Sequence, residues 1–146
     1  FSLDTFHLIA GNEKGELEIW NIFSKKREIL RINKVGINSF FQDKRFLIVG
    51  GSDRVVTILE PVTLREVAKL KGFKDFISHT TISPNDKTLA ISINRRIEFW
   101  NLDNLSKIKT INLRGAVISM IKFSPDGKYL FATTDPCFGG AGYIKV

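Results

Sequence analysis

The chain is poor in sulfur. One cysteine, Cys137, and one methionine, Met120, occur in 146 residues. A lone thiol excludes an internal disulfide, and a reducing compartment is the simplest reading. With only His7 and His79 beside it, it also falls short of the four ligands of a usual structural zinc site. No Cys-x-x-Cys or His-Glu-x-x-His spacing is present. Long apolar runs are missing too, and stretches such as FLIV at 46–49 are far too short to cross a bilayer. The chain opens on FSLDTF, with neither an initiator Met nor the regions of a signal peptide, which leads us to expect a piece of a longer polypeptide. Acid is the scarcer charge, 15 Asp and Glu against 22 Lys and Arg. A net charge of +7 favours anionic partners. The cations come in short groups (Lys25-Lys26-Arg27, Lys44-Arg45, Arg95-Arg96), not as a polybasic block.

What the chain has is repetition. LEIWN at 17–21 returns as IEFWN at 97–101, and VTILE at 56–60 lies between them with the same alternation. Leu59 then stands where the flanking copies have Trp20 and Trp100, at intervals of 39 and 41 residues. YIKV at 143–146 begins the pattern again. Upstream of each copy is a short apolar run ending in turn letters: HLIAGNEKG (7–15), FLIVGGSDR (46–54), TLAISINRR (88–96) and YLFATTDPC (129–137). Before these stand INSFFQDKR (37–45), ISHTTISPNDK (77–87) and ISMIKFSPDGK (118–128). After the copies come REILRI (27–32), REVAKL (65–70) and SKIKTI (106–111). Period-2 alternation, turn signals every eight to twelve residues and no helical stripe define strands. Units of about 40 residues with four strands are propeller blades. The expected strand count is three, four, four and three.

On these residues the chain resembles the WD40-repeat family. Residues 72–101, GFKDFISHTTISPNDKTLAISINRRIEFWN, carry the likeness best. SPND (83–86) and SPDG (124–127) resemble the family's turn between first and second strands, and IWN and FWN its Trp-Asp ending with Asn for Asp. The resemblance implies an all-β chain of four-stranded antiparallel meander blades forming an incomplete arc. Its blades are residues 1–33 (partial), 34–73, 74–114 and 115–146 (partial). It also implies a hydrogen-bonded His, Asp, Ser/Thr and Trp within each blade, with Ser92 and Thr133 at the hydroxyl position. No blade has the full set: Phe73 replaces the His, and Asn94 and Lys14 replace the Asp that Asp53 and Asp135 keep. Heavier reliance on apolar packing is therefore expected. Trp20 and Trp100 are expected between blades, and Phe40, Phe99, Phe123 and Phe131 in the core. Uncovered faces at both ends imply remaining blades from the same or another chain.

No catalytic constellation emerges, and no cofactor or metal set. His79, between Ser78 and Thr80, evokes a nucleophile and base, but no acidic orienter is identifiable, and a polar group near the axis is the plainer role. CFGGAGY (137–143) lacks the Lys-Ser/Thr of a phosphate loop and reads as a lengthened turn with Phe138 at its tip. The turns between second and third strands, and the segments entering each blade, share one rim by resemblance. Lys14, Lys34, Arg54, Lys71, Lys74, Arg95, Arg96 and Arg114 lie there, against Glu13, Asp53, Asp75 and Asp135. Of these, Lys14, Lys34, Arg54, Lys74, Arg95, Arg96 and Arg114, with Phe138, are the candidate partner-binding residues. The expected function is a non-catalytic, intracellular (cytoplasmic or nuclear) scaffold that binds other proteins, with acidic surfaces or peptides favoured and no membrane role. The alternative is RNA or ribonucleoprotein binding through the basic rim. An enzyme with residues split between this chain and further blades has only His79 in its favour.

Overall fold

The computed structural model describes residues 7–113, 117–134 and the backbone of 142–145. Every regular element among them is a β-strand, and the strands form four antiparallel meanders in chain order. The first sheet is β1 (His7–Gly11), β2 (Glu16–Asn21) and β3 (Arg27–Arg31). The second is β4 (Ile37–Gln42), β5 (Leu47–Gly51), β6 (Val56–Leu59) and β7 (Glu66–Leu70). The third is β8 (His79–Ile82), β9 (Thr88–Ile93), β10 (Arg96–Asn101) and β11 (Ser106–Asn112). The fourth is β12 (Ile118–Phe123), β13 (Tyr129–Thr134) and β14 (Gly142–Lys145). The fold is all-β, with meander sheets of the WD40 blade type. Among the described residues no helix is long and apolar enough to cross a membrane.

Turn chemistry closes the hairpins where the sequence places it. The Asp86 N–H donates to the Ser83 carbonyl at 2.9 Å, and the Gly127 N–H to that of Ser124 at 2.9 Å. Asp86 (φ 56°) and Gly127 (φ 71°) take the left-handed conformation that Gly, Asn and Asp tolerate best. Asn21 and Asn101 accept backbone N–H groups two and three residues on: Phe23 at 3.1 Å and Ser24 at 2.8 Å, Asp103 at 2.8 Å and Asn104 at 3.3 Å. Asn in place of Asp thus still shapes the turn after the third strand.

Alternation sorts side chains into three seams. Leu47, Val49 and Leu59 pack with Ile9, Leu17 and Ile19 between the first and second sheets. On the other face of the second sheet, Ile48, Val56 and Ile58 meet Leu89, Ile91 and Ile93. Ala90, Ile97 and Phe99 then meet Ile121, Phe123, Leu130 and Ala132 of the fourth sheet. Burying each large aliphatic side chain contributes about 1.5–3 kcal/mol. β4 packs against β8, and β8 against β12, so the blades' first strands succeed one another.

The outer sheets differ. Trp20, expected between blades, is 38% exposed on the open face of the first sheet, beside Leu8 and Ile29. Phe131, expected in the core, is 49% exposed on the fourth, with Met120 nearby. The reason is geometric: among the described residues, these two sheets have a neighbour on one face only.

The polar network also differs from the family pattern. The Trp100 indole N–H donates to Glu98 Oε2 at 3.2 Å, and Lys107 Nζ lies 3.3 Å from the same oxygen. The Ser92 hydroxyl donates to the His79 carbonyl instead, at 3.3 Å. Phe73, at the position where the family has His, meets Trp100 edge to face. The first sheet repeats the motif in the open: Arg27 pairs with Glu18 at 2.9 Å and lies over the Trp20 ring.

Candidate functional site

Strand direction places the β1–β2, β5–β6 and β9–β10 turns on one rim, with the ends of β3, β7 and β11 and the segments leading into β4 and β8. Two cavities open there, at equivalent places in successive repeats. One, of about 310 Å³, is lined by Lys74, Asp75, Ile93, Asn94, Arg95, Arg96, Asn112 and Leu113. The other, of about 580 Å³, is lined by Arg31, Ile32, Asn33, Lys34, Asp53, Val55, Lys69 and Lys71. Each combines the end of a fourth strand, a turn between second and third strands, and a segment entering a sheet.

Each cavity holds one carboxylate that is already engaged. Asp53 accepts the backbone N–H groups of Lys34 (3.3 Å) and Val55 (3.2 Å). Asp75 accepts the Phe76 N–H (2.8 Å) and the Asn94 side-chain amide (3.1 Å). These carboxylates brace the loops rather than pair with the neighbouring ammonium and guanidinium groups. Lys69 is held by Glu66 at 2.6 Å, and Arg96 Nε faces Glu98 at 3.6 Å. Lys34, Lys71, Lys74 and Arg95 make no ion pair among the described residues, and all four are exposed. Of the buried donors that lack a hydrogen-bond partner among the described residues, Asn33 Nδ2 and Arg96 Nε lie one in each cavity wall.

Of the candidates read from sequence, Lys74, Arg95 and Arg96 come together around the smaller cavity, and Lys34 lines the larger. Lys14 and Arg54 sit exposed in their turns and line neither; Arg54 takes a left-handed φ of 62°. Arg114 and Phe138 lie outside the described residues. Sequence reasoning missed Arg31 and Lys69, because both read as outer-strand residues. It missed Asn33 because one buried amide in a linker carries no motif.

The opposite rim carries Lys25, Lys26, Lys44 and Lys87, but its cavity, of about 450 Å³, is lined by Phe41, Phe123, Phe131, Pro84 and Pro125, with Asp43, Asp86 and one cation, Lys122. Arg45 is engaged there by Asp103 at 3.3 Å and by the Asp86 carbonyl at 3.0 Å. Among these three cavities, cations gather around the two of the first rim.

His79 lies on β8, half-buried, and burial holds its imidazole below the ordinary value, opposed by a hydrogen bond with the Ile121 backbone. Its Nδ1 is buried and without a partner among the described residues. Among the described residues no carboxylate orients it in a nucleophile–base arrangement. No three His, Cys, Asp or Glu side chains among the described residues stand close enough to share a metal ion.

No family model matches the chain. It is 25% identical over 121 residues to the serine-threonine kinase receptor-associated protein of Gallus gallus, covering 80% of this chain and 34% of that protein. It is also 25% identical over 157 residues to the nuclear distribution protein nudF of Emericella nidulans, covering 88% of this chain and 35% of that protein. The chain therefore spans about one third of the length of these relatives. Both are WD40-repeat proteins, so the distant relatives and the meander sheets support the same family resemblance.

Proposed function

We propose that the chain is a non-catalytic, WD40-type interaction scaffold that uses its basic rim to bind acidic segments of partner proteins within a larger assembly. In this reading residues 1–146 form part of one propeller, divided into blades at 33/34, 73/74 and 114/115, inside the cell. Further blades, from the same or another polypeptide, cover the faces that carry Trp20 and Phe131. The observation that carries the functional part is the set Lys34, Lys71, Lys74 and Arg95. These cations have no ion pair among the described residues, and they rim two cavities on a scaffold of packed sheets. Fixed charges of one sign on rigid loops steer and orient an oppositely charged partner.

The test is competition. The full chain is titrated with a labelled acidic peptide and with a single-stranded RNA oligomer, each at rising salt. The quadruple variant K34Q/K71Q/K74Q/R95Q is run beside it. The proposal expects the peptide to bind the wild type and to lose most of its affinity in the variant. RNA binding that the variant abolishes, with no peptide binding, would replace this reading with the nucleic-acid one.

A further inference from the structure

We infer that the cavity between the first and second sheets is an oxyanion pocket. In it Asn33 donates its side-chain amide to a carboxylate or phosphate carried on a protein segment, while Lys34 and Lys71 neutralise the charge. This rests on the acidic-partner reading above and assigns the contact that would make it specific.

Three observations converge. The first is the orphaned donor. Asn33 is 4% exposed, its Oδ1 accepts from the Thr57 hydroxyl at 3.4 Å, and its Nδ2 has no partner among the described residues. A buried donor without an acceptor is unfavourable, and an incoming anionic oxygen relieves that cost. The second is charge. Arg31, Lys34, Lys69 and Lys71 surround the cavity against Asp53 alone, and Asp53 is engaged by the Lys34 and Val55 N–H groups. Arg31 braces the entry segment by donating to the Lys34 carbonyl at 3.4 Å, and Glu66 holds Lys69. That leaves the Lys34 and Lys71 heads for a ligand.

The third is how the repeat diverges. In the seam between the second and third sheets, the residue entering the sheet is Phe73, and it closes on Trp100. In the preceding seam the same two places hold Asn33 and Leu59. No aromatic pair forms there, and a cavity of about 580 Å³ stands in the wall of the rim, a volume ordinary for a ligand site. Gly51 is part of the construction. A Cβ there would run into Asn33 Nδ2 and the Gly36 carbonyl oxygen, so glycine lets the amide lie against the sheet.

The experiment titrates the full chain, by fluorescence anisotropy, with two labelled peptides of one sequence. One bears a central glutamate cluster, the other a central phosphoserine. Asn33→Asp replaces the donor with an acceptor and changes net charge by one. Lys26→Gln, on the opposite rim, changes net charge equally and is the control. Asn33→Ala removes the donor with no charge change. Lys71→Gln, at an exposed position, keeps the test valid if circular dichroism shows the Asn33 variants unfolded. We expect at least one peptide to bind, with affinity down roughly tenfold or more in Asn33→Asp and Asn33→Ala. Lys71→Gln is expected to cost a few-fold, and Lys26→Gln less than twofold. The stronger peptide identifies the source of the oxyanion. Peptide binding that Asn33→Asp and Lys26→Gln weaken equally overturns the pocket and leaves the scaffold reading intact. Failure of both peptides to bind the wild type overturns both.

Discussion

Phe73 and Trp100 meet within the seam between the second and third sheets, ring centroids 5.8 Å apart and ring planes at 65°. Phe73 comes from the segment entering β8, and Trp100 from β10 behind it. The pair occupies ground where the WD40 pattern would place a histidine and its hydrogen bonds. Edge-to-face geometry aims the positive ring edge at the negative face and adds about 0.5–1.5 kcal/mol beyond simple burial. Phe73→Ala should therefore destabilise the chain by about 3–5 kcal/mol, read as a lower midpoint in urea unfolding. A loss under about 1 kcal/mol would mean that the seam does not depend on this ring.

Glu98 is buried, and three donors converge on it: the Trp100 indole, Lys107 and, more distantly, Arg96. Removing the carboxylate leaves the partly buried indole N–H and the cations without their acceptor. Glu98→Ala should cost about 3–5 kcal/mol. Glu98→Gln keeps an oxygen for the indole and should cost clearly less. Equal losses for the two variants, in chemical denaturation at neutral pH, would show that packing rather than charge is what Glu98 supplies.

His79 makes the stability depend on pH. Burial holds its folded-state pKa below the ordinary 6.5. The unfolded chain therefore binds the proton more readily than the native one, and stability falls as pH drops below about 6.5 toward the depressed folded value. Above 6.5 both states hold the imidazole neutral, and this contribution is flat. Thermal unfolding of wild type and His79→Gln across pH 5 to 8 checks it: the variant should lose much of the slope below about 6.5. Parallel slopes in the two proteins would exclude His79 as the source.

The fold was legible because it is written several times over. LEIWN, VTILE and IEFWN became β2, β6 and β10, and the two Ser-Pro turns closed the hairpins expected of them. Each repeat corroborated the others. Single-copy features were harder to read. Glu98 looks like any solvent-facing strand carboxylate until its face is known to lie in a seam. Trp20 and Phe131 share a blade position with buried residues elsewhere, and their exposure depends on whether a neighbouring sheet is present. Lys74, Arg95 and Arg96 were readable as one rim because topology alone sends their loops to the same end. Asn33 was not, since its significance lies in one nitrogen without a partner among the described residues, which only the folded structure reveals.

The open faces make the final prediction. Phe131 and Phe99 are both strand phenylalanines, yet one is 49% exposed and the other 1%. Phe99→Ser should cost upwards of 3 kcal/mol, since it empties a packed seam and buries a hydroxyl. Phe131→Ser should leave the melting midpoint of this chain nearly unchanged. If the faces carrying Phe131 and Trp20 are seams awaiting further sheets, the double variant Phe131→Ser, Trp20→Ser should also reduce self-association, because each face offers apolar area to a neighbour. Light scattering against concentration reads that directly. A double variant that self-associates as strongly as wild type would mean that these faces do not drive contact between sheets.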